Sequence, residues 1–286
     1  MPRSYGLIGK SLSHSFSKRF FSAQFERQGS NETYENFEVP TSDALREFLK
    51  QPRDGYNVTI PYKEAIMPYL SSVSPIAAQI GAVNTLVFTN EGWQGHNTDH
   101  IGFVAPLLSH EIDTRPALIL GTGGASKAVA FALRHVGIPY LFVSRRPELL
   151  WSEEVLEHWY EYAFAKAQLH KTTTLGDYDP IVDSSNTIEE LDVPTINYEQ
   201  VTADRLADIG LIINTTPVGT YPAIDKRPNL PYSSLNQSHH LYDLVYNPEV
   251  TAFLAVGKEM GSRTTNGLPM LQEQARASYA LWSGIN

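Results

Sequence analysis

Lys63 closes the run Asn57-Val58-Thr59-Ile60-Pro61-Tyr62-Lys63, and Asn97-Thr98-Asp99 and then a glycine-rich loop at Gly121 follow it. An ammonium group beside apolar residues is held at a cost. A nearby carboxylate offsets that cost while keeping the amine poised for acid-base work. Such a pair, ahead of a phosphate-binding loop, points to a proton shuttle beside a hydride carrier. Taken alone, a lysine after a proline turn would read as a surface residue.

The loop is Gly121-Thr122-Gly123-Gly124-Ala125-Ser126, after the apolar run 116–120 and before a helical pattern over 127–135. In that setting backbone N–H groups and the positive end of a helix face a pyrophosphate. The third position of the dinucleotide fingerprint is Ser126 here, and a plain glycine turn is the alternative. The next strand, over 140–143, runs into Ser144-Arg145-Arg146. An NAD-specific protein places an acid there for the ribose hydroxyls, and this chain has none. Two guanidinium groups can instead grip the extra phosphate of NADP through charge-assisted hydrogen bonds, with a solvated basic turn as the alternative.

The elements that must position these groups alternate in type. Strand runs at 5–9 and 33–39 are interleaved with helical segments at 17–28 and 42–50, the mark of βαβ construction. Ser17 and Ser42 stand where N-caps are expected, and Gly29 where a left-handed C-cap residue is expected. A strand over 56–60 stops at Pro61, a helix covers 74–80 and a strand 83–88. Asn90-Glu91-Gly92 then turns a hairpin to Trp93. After a helix over 101–109 the pattern restarts with 116–120, apolar throughout, as in strands buried on both faces of a parallel sheet. Strands at 140–143, 209–213 and 240–245 continue that unit. A final helix over 267–284 carries Leu268, Leu271, Ala275, Tyr279 and Trp282 at helical spacing and is expected to pack back on the first domain. The pattern predicts a two-domain α/β protein whose second domain is a Rossmann-type parallel sheet.

With 286 residues, 42% of them hydrophobic, the chain can fill roughly two domains of about 150 residues. Its net charge of −9 argues against nucleic acid or a membrane surface as partner. An anionic ligand must then be held by a local nest of donors. The absence of cysteine removes disulfides, thiolate nucleophiles and cysteine metal sites, and fits a reducing compartment. With no signal-peptide pattern and no apolar span of about 20 residues, a soluble cytoplasmic protein is expected. His96 and His100 stand four apart and could share a helical face, but no third ligand accompanies them, so no metal is expected. The segment 147–208 carries Trp151, Val155, Trp159 and Tyr162 along one helical stripe. It reads as core, or alternatively as a contact face that would make the chain a homodimer.

Six segments carry a further likeness. They are His14-Ser15-Phe16-Ser17, the run from Asn57 to Lys63, Gly81-Ala82-Val83-Asn84-Thr85, Asn97-Thr98-Asp99, Asn214-Thr215-Thr216-Pro217-Val218-Gly219, and Gly267-Leu268-Pro269-Met270-Leu271-Gln272-Glu273-Gln274-Ala275. In this order they make the chain resemble the shikimate dehydrogenase family from Tyr5 to Trp282. The resemblance implies reversible oxidation of shikimate to 3-dehydroshikimate with NADP, on the route to chorismate and the aromatic amino acids. It implies a substrate-binding domain over 1–101, an NADP-binding domain over 102–245 and a C-terminal segment, 246–286, that returns to the substrate domain.

By the same resemblance Lys63 is the acid-base residue and Asp99 orients both amine and hydroxyl. Ser15 and Ser17 hold the substrate carboxylate. Thr59, Asn84 and Asp99 meet the ring hydroxyls, with Tyr246 and Gln274 reaching in from later in the chain. Gly121, Gly123, Gly124, Ala125 and Ser126 fall on the pyrophosphate, and Ser144, Arg145 and Arg146 on the adenosine phosphate. Thr215, Thr216 and Gly267 fall on the nicotinamide side. The chain departs from the family at Ser11, Lys18, His100, Ser144, Arg146 and Thr220, and an imidazole at His100 could compete for the Asp99 carboxylate. Two alternatives stay open: oxidation of quinate, and a catalytically idle sensor of NADP and a shikimate-like ligand.

Overall fold

The computed structural model describes residues 2–12, 15–51, 53–108, 113–146, 156–157, 159, 163 and 195–284. Two compact units emerge, one from Met1–Gly102 with Gln272–Asn286 and the other from Phe103–Leu271. Of the aromatic stripe, Trp151, Val155 and Tyr162 lie outside the described residues, while Trp159 packs against a buried cluster of the second unit.

In the first unit β1 (Ser4–Gly9), β2 (Thr33–Glu38), β3 (Gly55–Val58), β4 (Ser72–Val73), β5 (Thr85–Thr89) and β6 (Gly92–His96) form one sheet in the order β2-β1-β3-β5-β6-β4. β1 runs parallel to β2 and β3, whereas β5 is antiparallel to β3 and β6. Alternate residues of β1 enter different cores, Ile8 with Tyr56, Val58 and Leu86, and Tyr5 and Leu7 with Phe21, Phe25 and Tyr34. This is the period of two that strands impose.

Helix α1 (Phe16–Gln28) starts under Ser15, whose hydroxyl accepts from the Ser17 N–H, and stops at Gly29 at φ 62°. The cap is therefore Ser15 and not Ser17, because the chain is already helical at Phe16. Likewise α2 (Ser42–Phe48) is capped by Thr41 rather than Ser42. The short helix α3 (Tyr62–Ala65) brings Lys63 round from β3, and α4 (Pro75–Ile80) is capped by Ser74.

Helix α5 (Asp99–Leu108) leads out of the first unit. His96 ends β6 and His100 lies in α5, so the two histidines share no helical face. The second unit comprises β7 (Ala117–Leu120), α6 (Gly124–His135), β8 (Tyr140–Val143), β9 (Thr195–Ile196), α7 (Ala203–Ala207), β10 (Leu211–Asn214), β11 (His240–Asp243), α8 (Ala252–Glu259) and β12 (Arg263–Thr265). Its sheet runs β9-β8-β7-β10-β11-β12, every pair parallel. This is the doubly wound order, and the direction of winding reverses between β7 and β10. Ala117 and Ile119 enter one core and Leu118 and Leu120 the other, which is why the strand is apolar throughout. Residues 246–271 belong to the second unit, adding β12 to its sheet and α8 outside it, and of the C-terminal segment only Gln272–Asn286 belongs to the first unit.

The C-terminal helix α9 (Leu268–Ser283) carries that return. Within the first unit Trp282 stacks on Tyr5 at a ring separation of 4.6 Å and donates its indole N–H to the Leu86 carbonyl at 2.9 Å. The indole fills the space a side chain at residue 55 would need, so Gly55 is obligatory. No helix among the described residues is long and apolar enough to cross a membrane.

Candidate active site

Lys63 is anchored before its side chain acts, because its carbonyl accepts from the Val83 N–H at 2.8 Å. Its Nζ donates to Oδ2 of Asp99 at 2.6 Å, with the lysine side chain 16% and the aspartate 7% exposed. Asp99 opens α5, where a carboxylate suits the positive helix end. Asn97 fixes that start, its Oδ1 accepting from the Asp99 N–H at 3.0 Å and its Nδ2 donating to the Ala82 carbonyl. Nδ2 of Asn84 donates to the other oxygen of Asp99 at 2.9 Å. The carboxylate is thus held at both oxygens, and the amine it faces is the more exposed of the two groups.

Asn84 is itself set in one orientation. Its Oδ1 accepts from the Thr98 backbone N–H at 2.8 Å, a group that can only donate, while ionised Asp99 can only accept. Gln274, on α9, accepts from the same Asn84 amide at 3.3 Å. Behind it lies a buried hydroxyl cluster in which Ser278 meets Thr85 at 2.8 Å, Thr98 at 3.1 Å and the Asn57 amide at 2.9 Å. Tyr34 donates to Asn57 at 2.9 Å, on the inner side of this cluster. Burial pushes the Tyr34 phenol up from its ordinary value.

Lys63, Asp99, Asn84 and Gln274 are therefore joined directly, while Ser17 lies in the first turn of α1 and is not hydrogen-bonded to them. Ser15 is the cap of α1. Thr59 leads from β3 into α3, its carbonyl accepting from the Tyr62 N–H at 2.9 Å. His100 is buried on α5, and burial lowers the His96 imidazole below its ordinary 6.5. Sequence reasoning missed Ser278, although its spacing of four from Gln274 puts both on one helical face. Among the described residues no group of three or more metal-ligating side chains exists.

In the second unit the loops after β7 and β10 lie at the reversal of strand order, where open parallel sheets bind ligands. Gly121 turns at φ 114°, and a side chain there would strike Thr215. Thr215 shares a hydrogen bond of 2.7 Å with Ser126 and donates to the Leu120 carbonyl at 2.6 Å. α1 and α8 start under side-chain caps, but α6 starts on Gly123 with none, and a methyl at Gly123 would meet nothing within 4 Å. Its first N–H groups are left for an anion, so Gly124, Ala125 and Ser126 fit a dinucleotide pyrophosphate. At the end of β8 the Arg146 N–H donates to the Ser144 hydroxyl at 3.2 Å. Arg145 lies close enough to Tyr198 to pull its phenol down against the burial that raises it.

The loop after β10 is organised by Asn214, whose Oδ1 accepts from both the N–H and the hydroxyl of Thr216, at 3.1 and 2.6 Å. Its Nδ2 donates to Asp243 at 2.9 Å. Gly267 donates to the Val245 carbonyl at 3.1 Å, and a side chain there would run into the Leu244 carbonyl. Tyr246, partly buried, follows directly on that turn.

Residues 7–86 match the model of the shikimate dehydrogenase substrate binding domain. Over 98% of its length the chain is 33% identical to a shikimate dehydrogenase (NADP(+)) of Desulforamulus reducens, of which it covers 89%. Over 97% it is 36% identical to the enzyme of the same name from Moorella thermoacetica, of which it covers 87%. A solved shikimate 5-dehydrogenase of Thermus thermophilus, in complex with NADP(H) and shikimate, superposes with a TM-score of 0.74 at 30% identity, over 99% of this chain and 94% of that one.

Proposed function

The chain belongs to the shikimate dehydrogenase family, and from that membership we propose that it interconverts shikimate and 3-dehydroshikimate with Lys63 as the acid-base group and Asp99 as its orienting partner. It is an NADP-dependent oxidoreductase. The observation that carries the residue assignment is the 2.6 Å Lys63–Asp99 pair, held at its far oxygen by Asn84.

An ammonium paired with a carboxylate is the acid form of the couple, loaded for reduction of the ketone. When bound, NADP(H) supplies or takes the hydride. Lys63 gives its proton to the carbonyl oxygen as the alcohol forms, and in the oxidative direction it takes the hydroxyl proton back. Asp99 stabilises the charged amine and directs it. Asn84, Thr59 and Gln274 offer short polar groups for a polyhydroxylated ring, and Ser15 and Ser17 offer hydroxyls for its carboxylate. Tyr246, at the exit of β11, is by family likeness a further candidate for contact with the substrate.

Gly121, Gly123, Gly124, Ala125 and Ser126 would hold the pyrophosphate, Arg145 with Ser144 and Arg146 the adenosine phosphate, and Thr215, Thr216 and Gly267 the nicotinamide side. The first unit is read as the substrate domain and the second as the cofactor domain. Initial rates with shikimate or quinate, each with NADP or NAD, test the reading. Shikimate with NADP should give the highest kcat/KM; a preference for quinate, or no turnover in any pairing, would refute it.

A further inference from the structure

Asp243 ends β11 fully buried, and its hydrogen-bond donors are all neutral. A buried carboxylate costs more than an apolar residue of its size unless its acceptors are used. Here they are used by three separate segments. Oδ1 accepts from Nδ2 of Asn214 on β10 at 2.9 Å and from the Val245 N–H at 3.0 Å. Oδ2 accepts from the hydroxyl of Thr251, the N-cap of α8, at 2.6 Å.

The contact with Asn214 decides the shape of the loop beyond it. An ionised carboxylate can only accept, so it fixes the Asn214 amide with Nδ2 inward. That leaves Oδ1 for the Thr216 N–H and hydroxyl, and the same Nδ2 reaches the Val218 carbonyl at 3.2 Å. On the other side the Val245 N–H sets the turn whose carbonyl holds Gly267 and whose next residue is Tyr246. We propose that Asp243 is a positioning residue for the cofactor loop 214–218 and for the strand exit that carries Tyr246, acting through Asn214 and Val245 and touching neither ligand. The inference rests on the function proposed above, which gives Thr215, Thr216 and Tyr246 their ligands.

The test uses the full chain and fluorescence titration with NADPH, a readout that needs no turnover. Asp243→Leu keeps volume and deletes both acceptors, Asp243→Asn keeps Oδ1 as an acceptor, and Asn214→Ala removes the intermediary. The dissociation constant for NADPH should rise about tenfold or more in Asp243→Leu and Asn214→Ala and stay within about threefold in Asp243→Asn. Combining Asp243→Leu with Asn214→Ala should weaken binding no further than Asp243→Leu alone, since that variant already removes the connection to Asn214. A lowered melting temperature in Asp243→Leu with unchanged NADPH affinity would overturn the proposal. Should that variant fail to fold, unchanged affinity in Asn214→Ala does the same. A wild-type chain that binds NADPH but does not oxidise shikimate would sink the functional reading instead, while the affinity comparison would still decide the role of Asp243.

Discussion

The Nζ of Lys63 stands 2.6 Å from Oδ2 of Asp99, joining a short helix after β3 to the first residue of α5. Thirty-six residues separate the two in sequence. The sheet closes that gap, because β3 and β5 pair directly and the Val83 N–H pins the Lys63 backbone beside the strand that follows. The lysine is therefore held at both ends, by its backbone carbonyl and by its charge.

Lys63→Ala should lower kcat by about 10² to 10⁴ while leaving shikimate affinity within a few-fold, as expected when a proton-transfer group is lost and binding groups remain. Lys63→Arg should not restore the rate, since a guanidinium keeps its charge but does not release its proton in this range. Steady-state kinetics and shikimate titration of both variants check this. Recovery in the arginine variant would reduce Lys63 to a charge.

Ser278 is the opposite case. Its hydroxyl meets Asn57, Thr85, Thr98 and the Gln274 carbonyl, all buried, yet the Asn84 orientation is already set by Thr98 N–H and Asp99. Ser278→Ala should cost about 1 to 3 kcal/mol of stability through unmet partners and change kcat little. Urea midpoints read beside kcat measure the split. A large kcat loss at unchanged stability would move Ser278 into the catalytic machinery.

What the sequence exposed follows from burial. Strands covered on both faces, such as 140–143, must be apolar throughout and were legible to the residue. β12, with Arg263, Thr264 and Thr265 half-buried or exposed, is a polar edge strand that carries no such signal, and α8 was hidden because its apolar residues form one block, Ala252–Val256, in a helix of only eight residues, too short to show a helical period. The helix starts shifted from Ser17 to Ser15 and from Ser42 to Thr41, since neighbouring hydroxyls offer equal caps until the backbone chooses between them. In the site, Lys63 and Asp99 stood out as an amine and a carboxylate ahead of the glycine-rich loop, and Asn84 through the family resemblance. Ser278 did not, because a lone serine inside an amphipathic helix looks like any solvated position until the partners across the sheet are known.

Arg145→Ala should raise KM for NADP by about tenfold to a hundredfold and leave KM for NAD nearly unchanged, because a charge-assisted contact to a phosphate is lost only where that phosphate exists. Removing Arg146 as well should deepen the loss if both guanidinium groups engage it. Rates at varied NADP and NAD give the comparison. Equal losses with the two cofactors would mean that Arg145 supports the fold of the β8 exit and does not read the phosphate.

Asp243 also has a consequence for stability. Burial pushes its carboxyl up to about 6 from an ordinary 3.8, against the opposing pull of hydrogen bonds from Thr251, Val245 and Asn214. Between those two values the folded chain binds the proton and the unfolded chain does not. Stability from this group is therefore full below about 3.8 and is lost as pH rises through about 6, by up to roughly 3 kcal/mol. Asp243→Asn cannot titrate, so the stability of the wild type relative to that variant should fall as pH climbs from about 4 to 6 and level off above. Urea unfolding of both proteins across that range measures the difference directly, and other titrating groups cancel in it. A difference that stays flat, or that rises with pH, would mean that the three hydrogen bonds outweigh burial and that Asp243 remains ionised throughout.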